Sequence, residues 1–353
     1  MVCDVAGVLG GQSGSQWLVS PELVKQAALK VVWHKALPIR DVESLEQLVV
    51  LDDRIYVFSD RNHVVSLDRE DGKVIFGRSI APAGFEVMGL GHYGNELFSV
   101  IGDELVELSA EFGRRRGTKS IGVGIICPAA RNSSYYYLSA VDNRLHTLHA
   151  ESKVRAFQVA AENESRITSI IADETFIILG TDAGNVISLA AGEPRRLWQF
   201  DAAGPLAGPI VRDGESFFFA CDDTNVYRID MVNPVTVGLI WKYQTQGVPD
   251  RAPRVTEKVV YQYVPGRGLT AIDRQSGRFV WSLSEGVDLL TEAADKAYVI
   301  TNVRTLVVMD NSRAKKLYWV NFSGVSLHAA NPPDSKIYIA GKRGRVACLE
   351  PAG

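Results

Sequence analysis

The sequence predicts an all-β protein: one eight-bladed β-propeller of four-stranded blades, closed by an N-terminal strand that joins the last blade. Three observations predict it. A motif recurs eight times at near-constant spacing, an aromatic follows it in register, and a spare outer strand stands ahead of the first repeat.

The repeat comes first, because a period of about 40 residues is the mark of propeller blades. The apolar residue that ends runs of the kind HVVSLD recurs at Leu67, Leu108, Leu148, Leu189, Ile229, Ile272, Met309 and Leu349. Successive gaps are 41, 40, 41, 40, 43, 37 and 40 residues. Each unit holds β-branched and aromatic runs between turn residues. Unit one reads LEQLVVL, RIYVFSD, HVVSLD and KVIFGRSI; unit six reads RAPRV, KVVYQYV, GLTAID and RFVWSL. The one helix predicted is Pro21 to Ala28, capped by Ser20 with Pro21 in its first turn.

The aromatic comes second. Phe76, Phe157, Trp198 and Trp281 lie nine residues after their markers. Trp241 and Trp319 follow at twelve and ten, which reads as longer turns. Trp33 holds the same slot before unit one. These seven rings are expected to wedge between adjacent blades, each burying about 150–250 Å². Stacking on a carbohydrate is the competing role for so many tryptophans, but a ligand has no reason to impose the repeat spacing.

The spare strand comes third. LKVVWHKALP has the pattern of a fourth strand, while unit eight ends at Gly353 without one. Strand Leu29–Leu37 is therefore expected to complete the last blade, removing the open edges of an unclosed ring. Residues 1–28 form a tail with the short helix, and residues 29–353 one propeller domain.

Composition sets limits on function. The 353 residues are 46 % hydrophobic and 22 % charged, ordinary for a globular chain. A net charge of −3 gives no global basic field for nucleic acid. No apolar run approaches the ~18 residues of a membrane helix. Residues 1–28 hold only the short apolar stretch Val5 to Leu9, with no basic residue before it, so no signal peptide is visible. Cys3 lacks the residues upstream of a lipoprotein cleavage site. The expectation is a natural leader removed ahead of Met1. Cys3, Cys127, Cys221 and Cys348 form no CxxC pair and read as small buried hydrophobes.

Unit six carries Pro253, Tyr261 and Tyr263, Gly266 and Gly268, Ala271–Asp273, Gly277 and Trp281. Unit five carries Pro209, Phe217–Phe219, Asp222 and Asp223, Arg228–Asp230 and Trp241; unit one carries Tyr56, Asp60, Ser66–Asp68, Gly72 and Phe76. This order resembles the PQQ-repeat propeller family over roughly residues 29–351. Within it the chain resembles most the BamB-like proteins of outer-membrane protein assembly, in length, blade number, termini that meet in one blade and the lack of an inserted catalytic domain. The resemblance implies a non-enzymatic scaffold outside the cytoplasm, monomeric by itself. Its implied partners are other proteins, a β-barrel assembly complex among them. No cofactor is expected. The related quinoprotein dehydrogenases resemble one another in an adjacent Cys-Cys pair and a calcium cluster, and neither pattern stands in this sequence. The alternatives are a small-ligand or quinone-binding propeller and a sugar- or peptide-recognition module. Trp17 is the one tryptophan outside the wedge slot.

No catalytic, cofactor-binding or metal residue is expected. Asp68, Asp230, Asp273 and Asp310 share one repeat position and read as turn caps. His146 and His149 are three apart, on opposite faces of a strand. The basic runs Arg114–Arg116, Arg195–Arg196 and Lys315–Lys316 read as solvated turn charges. The turns between second and third strands divide by charge. Units one to five carry Asp60, Asp103, Asp142, Asp182, Asp222 and Asp223, interrupted by Arg61 and Arg144. Units six to eight carry Arg267, Arg304, Lys342, Arg343 and Arg345. This basic sector is the expected docking patch, since charge complementarity orients partners.

Overall fold

A computed structural model describes residues 17–352; Cys3 and the Val5–Leu9 stretch lie outside the described residues. The strand-like runs become eight four-stranded antiparallel sheets. They are blades one (45–79), two (87–120), three (130–160), four (167–201), five (211–244), six (254–283), seven (286–321) and eight (327–351, with 29–36). The two middle strands of a blade are covered on both faces by neighbouring blades, so they read as near-continuous apolar runs. Arg54–Ser59 and His63–Asp68 are buried over four or more consecutive residues, while the outer strand Val74–Ser79 buries only Phe76.

The N-terminal strand closes the ring. Leu29–Ala36 pairs antiparallel with Arg345–Pro351, from Leu29↔Pro351 to Ala36↔Arg345. The strand stops one residue short of Leu37, whose backbone N–H turns to Gly344 O. The helix is Pro21–Gln26, with Ser20 Oγ accepting from Leu23 N. It ends before Ala28, whose φ of 53° leaves the helical region. Val19, Val24 and Ala27 are buried against Val320 of blade seven, Phe322 just after it, and Ile337 and Leu349 of blade eight.

Five of the seven predicted wedge rings are buried: Trp33, Phe76, Trp198, Trp241 and Trp281; Phe157 is half-buried. Each lies opposite the residue just before its marker, as Phe76 opposite Ser66 and Trp281 opposite Ala271. Three indoles also donate a hydrogen bond from Nε1 to the outer turn of the following blade: Trp33 to Arg69 O, Trp241 to Arg274 O and Trp281 to Asn311 Oδ1. Glycine makes room for the ring. A Cβ at Gly72 would lie 2.6 Å from Trp33, and one at Gly277 2.7 Å from Trp241. Both glycines have positive φ, so the turn and the wedge demand the same residue.

Trp319 corrects the reading. It is 71 % exposed. The turn before it is no longer than in blade one, since Asp310↔Lys315 spans the same step as Asp68 to Lys73. The wedge register therefore falls on Tyr318, opposite Val308, and Trp319 points to the other face. The seam between blades seven and eight is filled by the N-terminal helix instead.

Candidate functional site

The hairpins between second and third strands, with the connections between blades, form one rim. Five of the six acids of its acidic half are engaged internally; among the described residues the exposed Asp222 side chain is not. Asp60 and Asp182 accept the backbone N–H of Ser44 and Arg166 at the starts of inner strands. Asp103 accepts from Ser120 Oγ, and Asp142 from Arg144 N while facing His146 at 2.9 Å. Asp223 accepts from Asn225 N and from the Tyr227 hydroxyl. Burial alone would raise the Asp223 carboxyl; these bonds together hold it below the usual range.

The basic half is not engaged. Arg267, Arg304, Lys342 and Arg343 are exposed and Arg345 is half-buried. Their side chains form no hydrogen bond or ion pair among the described residues. Local geometry sets them outward: Arg267 sits between Gly266 and Gly268, both at positive φ, and Arg304 itself has a φ of 57°. The structure brings Lys342, Arg343 and Arg345 together with Trp17 and Leu18 around a cavity of about 720 Å³. Arg304 and Arg267 lie on the two preceding blades. Beside Arg304, Val303 and Trp319 line a smaller cleft of about 360 Å³.

A second cluster faces the central channel and was not expected. Asp288, on the inner strand of blade seven, takes two hydrogen bonds from Arg254 of blade six, at 2.8 and 3.0 Å. His328 of blade eight reaches the same carboxylate at 3.0 Å. Burial alone would raise the Asp288 carboxyl, but hydrogen bonds from His328 and Arg254 and their charges hold it well below the usual range. The three line a cavity of about 380 Å³ walled by Leu48 and Val50. Asp288 and His328 occupy the same repeat position ahead of Met309 and Leu349, which is the signal that could have found them.

The remaining singled-out residues are structural. Asp68, Asp273 and Asp310 accept backbone N–H groups of their turns; Asp230 instead pairs with Arg228. His146 is buried against Asp142 and Gln158, whereas His149 is exposed and packs on Tyr135. Cys127, Cys221 and Cys348 are buried and unpaired, and burial pushes their thiols up to about 11, 11 and 12.

Comparison with known proteins fits this architecture. A profile of the family described as outer membrane protein assembly factor BamB matches residues 182–336. The crystal structure of BamB from Moraxella catarrhalis superimposes with a TM-score of 0.70 over 91 % of this chain and 97 % of that one, at 14 % identity. The chain has the fold of a PQQ-repeat propeller and is similar to BamB in sequence over residues 182–336. A computationally designed protein, Ika8, matches this BamB-like propeller almost as well, with a TM-score of 0.67 at 13 % identity over 89 % of the chain and 98 % of the design. Shape therefore carries no function here. No curated protein matches the BamB-like chain in sequence.

Proposed function

We propose that this BamB-like propeller is a non-enzymatic scaffold that docks other proteins through the basic sector of its rim: Arg267, Arg304, Lys342, Arg343 and Arg345. One observation carries the reading. Five of the six acidic side chains are tied into the fold, whereas the basic side chains hold no internal partner among the described residues. Charges without a structural task remain available to a partner, where they steer encounter and fix register. Resemblance to BamB supports placement outside the cytoplasm and a β-barrel assembly factor as partner.

The test is affinity co-purification from the source cell's envelope, with wild type and Arg267→Glu/Arg343→Glu as baits. Wild type is expected to capture an assembly factor at low salt and the double variant to lose most of it, with equal melting temperatures. Equal capture by both baits would reject the docking sector. The Arg254–Asp288–His328 cavity favours a second reading, a small ligand held in the channel. Native mass spectrometry of the purified chain tests it, through an added mass that Arg254→Ala abolishes.

A further inference from the structure

The cleft beside Trp319 deepens the docking reading, on which this inference rests. Trp33, Trp198, Trp241 and Trp281 are buried between blades, so the fold uses tryptophan as a wedge wherever it can. Among the tryptophans of the blades, Trp319 is the exception. Its seam is filled by Val19, Val24 and Ala27, and its own ring faces out. Val303, in the adjacent hairpin, is equally exposed at 71 %. Together they form an apolar wall of the cleft of about 360 Å³.

The polar groups of the cleft are largely spoken for. Lys316 Nζ lies 2.6 Å from Glu285 Oε1, and that bond lowers the Glu285 carboxyl. Ser284 Oγ donates to the other Glu285 oxygen. Thr301 Oγ1 accepts from the backbone N–H of Thr305. A sugar, which needs several free hydrogen-bonding groups, is poorly served. An apolar side chain is well served. Both chain neighbours of Arg304 line the cleft, so an exposed arginine with no side-chain partner among the described residues stands beside it. Tryptophan and arginine are the residues that most often dominate binding energy at interfaces.

We propose that the cleft receives an aromatic or aliphatic anchor on an acidic segment of a partner protein, with the anchor against Trp319 and Val303 and a carboxylate on Arg304. The cleft admits a side chain rather than a folded surface. The charge of the segment follows from Arg304 and from its continuity with Arg267 and the blade-eight cations.

The test uses a fluorescein-labelled peptide, Gly-Asp-Glu-Phe-Glu-Asp-Gly, titrated against the full chain and followed by anisotropy. Controls replace Phe by Ser, or every acid by Lys. Wild type is expected to favour the Phe peptide over the Ser peptide by about tenfold, with Trp319→Ser erasing that preference and Trp319→Phe restoring it. Arg304→Glu is expected to weaken binding by about tenfold at low salt. Trp319 is exposed, so a thermal melt of Trp319→Ser should match wild type. Equal affinity for the two peptides, a preference that survives Trp319→Ser, or no binding at about 1 mM peptide overturns the proposal. Quenching by chitotriose in place of the peptide also overturns it and makes the cleft a sugar subsite. Peptide failure with charge-dependent partner capture removes the cleft and leaves the docking rim. Peptide binding with charge-independent capture keeps the cleft and removes the rim.

Discussion

The seam between blades six and seven and the seam between blades two and three solve one packing problem with opposite chemistry. In the first, Trp281 is buried beside Tyr261 with ring centroids 5.7 Å apart, and its indole donates to Asn311. In the second, the wedge position is Gly117, opposite Glu107. The Glu107 carboxylate fills the space, 2.5 Å from Lys153 Nζ, and accepts from the Tyr136 hydroxyl at 2.7 Å. Tyr136 also meets Glu96, which pairs with Arg131. The Arg131 guanidinium lies over the rings of both Tyr93 and Tyr136. Burial, then the two carboxylates, drives the Tyr136 hydroxyl far up, so it stays protonated.

The exchange is reciprocal. Gly72, Gly113 and Gly277 give way to a ring in their turns; the corresponding turn residue of blade three is Lys153, also at positive φ, and the ring opposite it is gone. A large wedge on a small turn has become a small wedge under a long, charged turn residue. The Trp281 wedge holds no ion pair for salt to screen, whereas the wedge between blades two and three rests on pairs that salt weakens where they meet solvent.

That contrast can be broken or sharpened experimentally. The largest effect belongs to the seam that both termini build. Removing residues 1–38 leaves the Arg345–Pro351 strand with an open edge, and soluble monomer is expected to fall sharply in size-exclusion chromatography. Trp281→Ala comes next, with an expected loss of about 3–5 kcal/mol in urea denaturation that is the same at low and high salt. Lys153→Ala leaves Glu107 without its cation and should cost about 1–3 kcal/mol at low salt, shrinking as salt rises. Acid should unpick the channel cluster. The Asp288 carboxyl is lower in the fold than in the unfolded chain, so its stabilisation is present above about pH 4 and fades as pH falls below it. Asp288→Asn should remove that part of the acid dependence of the melting temperature. The smallest net change is the sharpest test. Gly117→Trp with Glu107→Ser and Lys153→Gly grafts the apolar seam onto blades two and three; stability is expected near wild type, with the salt dependence of that seam gone.

What the sequence disclosed follows from what repeats. The marker residues, the ring-closing strand and the wedge positions recur at one spacing, so they could be counted. Trp319 departs from its expected slot because spacing, not residue type, sets the wedge: nine residues after Met309 stands Tyr318. The polar seam was illegible because Glu96 and Glu107 belong to one blade and Arg131, Tyr136 and Lys153 to the next, and none of them marks a repeat. Arg254, Asp288 and His328 are contributed singly by three blades, and only the shared repeat position of Asp288 and His328 hints that they meet. The basic rim was visible because turns fall at fixed places in each unit. Whether its charges had internal partners needed coordinates, since Asp60 reaches Ser44 only once the two strands are paired.

We propose that the basic rim, and not the channel, meets the partner. Hydrogen–deuterium exchange on the propeller, alone and with the captured partner, tests it most directly. Protection over residues 265–268, 302–305 and 341–345 is the predicted footprint. Protection confined to the inner strands around Arg254, Asp288 and His328, with the rim unchanged, would contradict it.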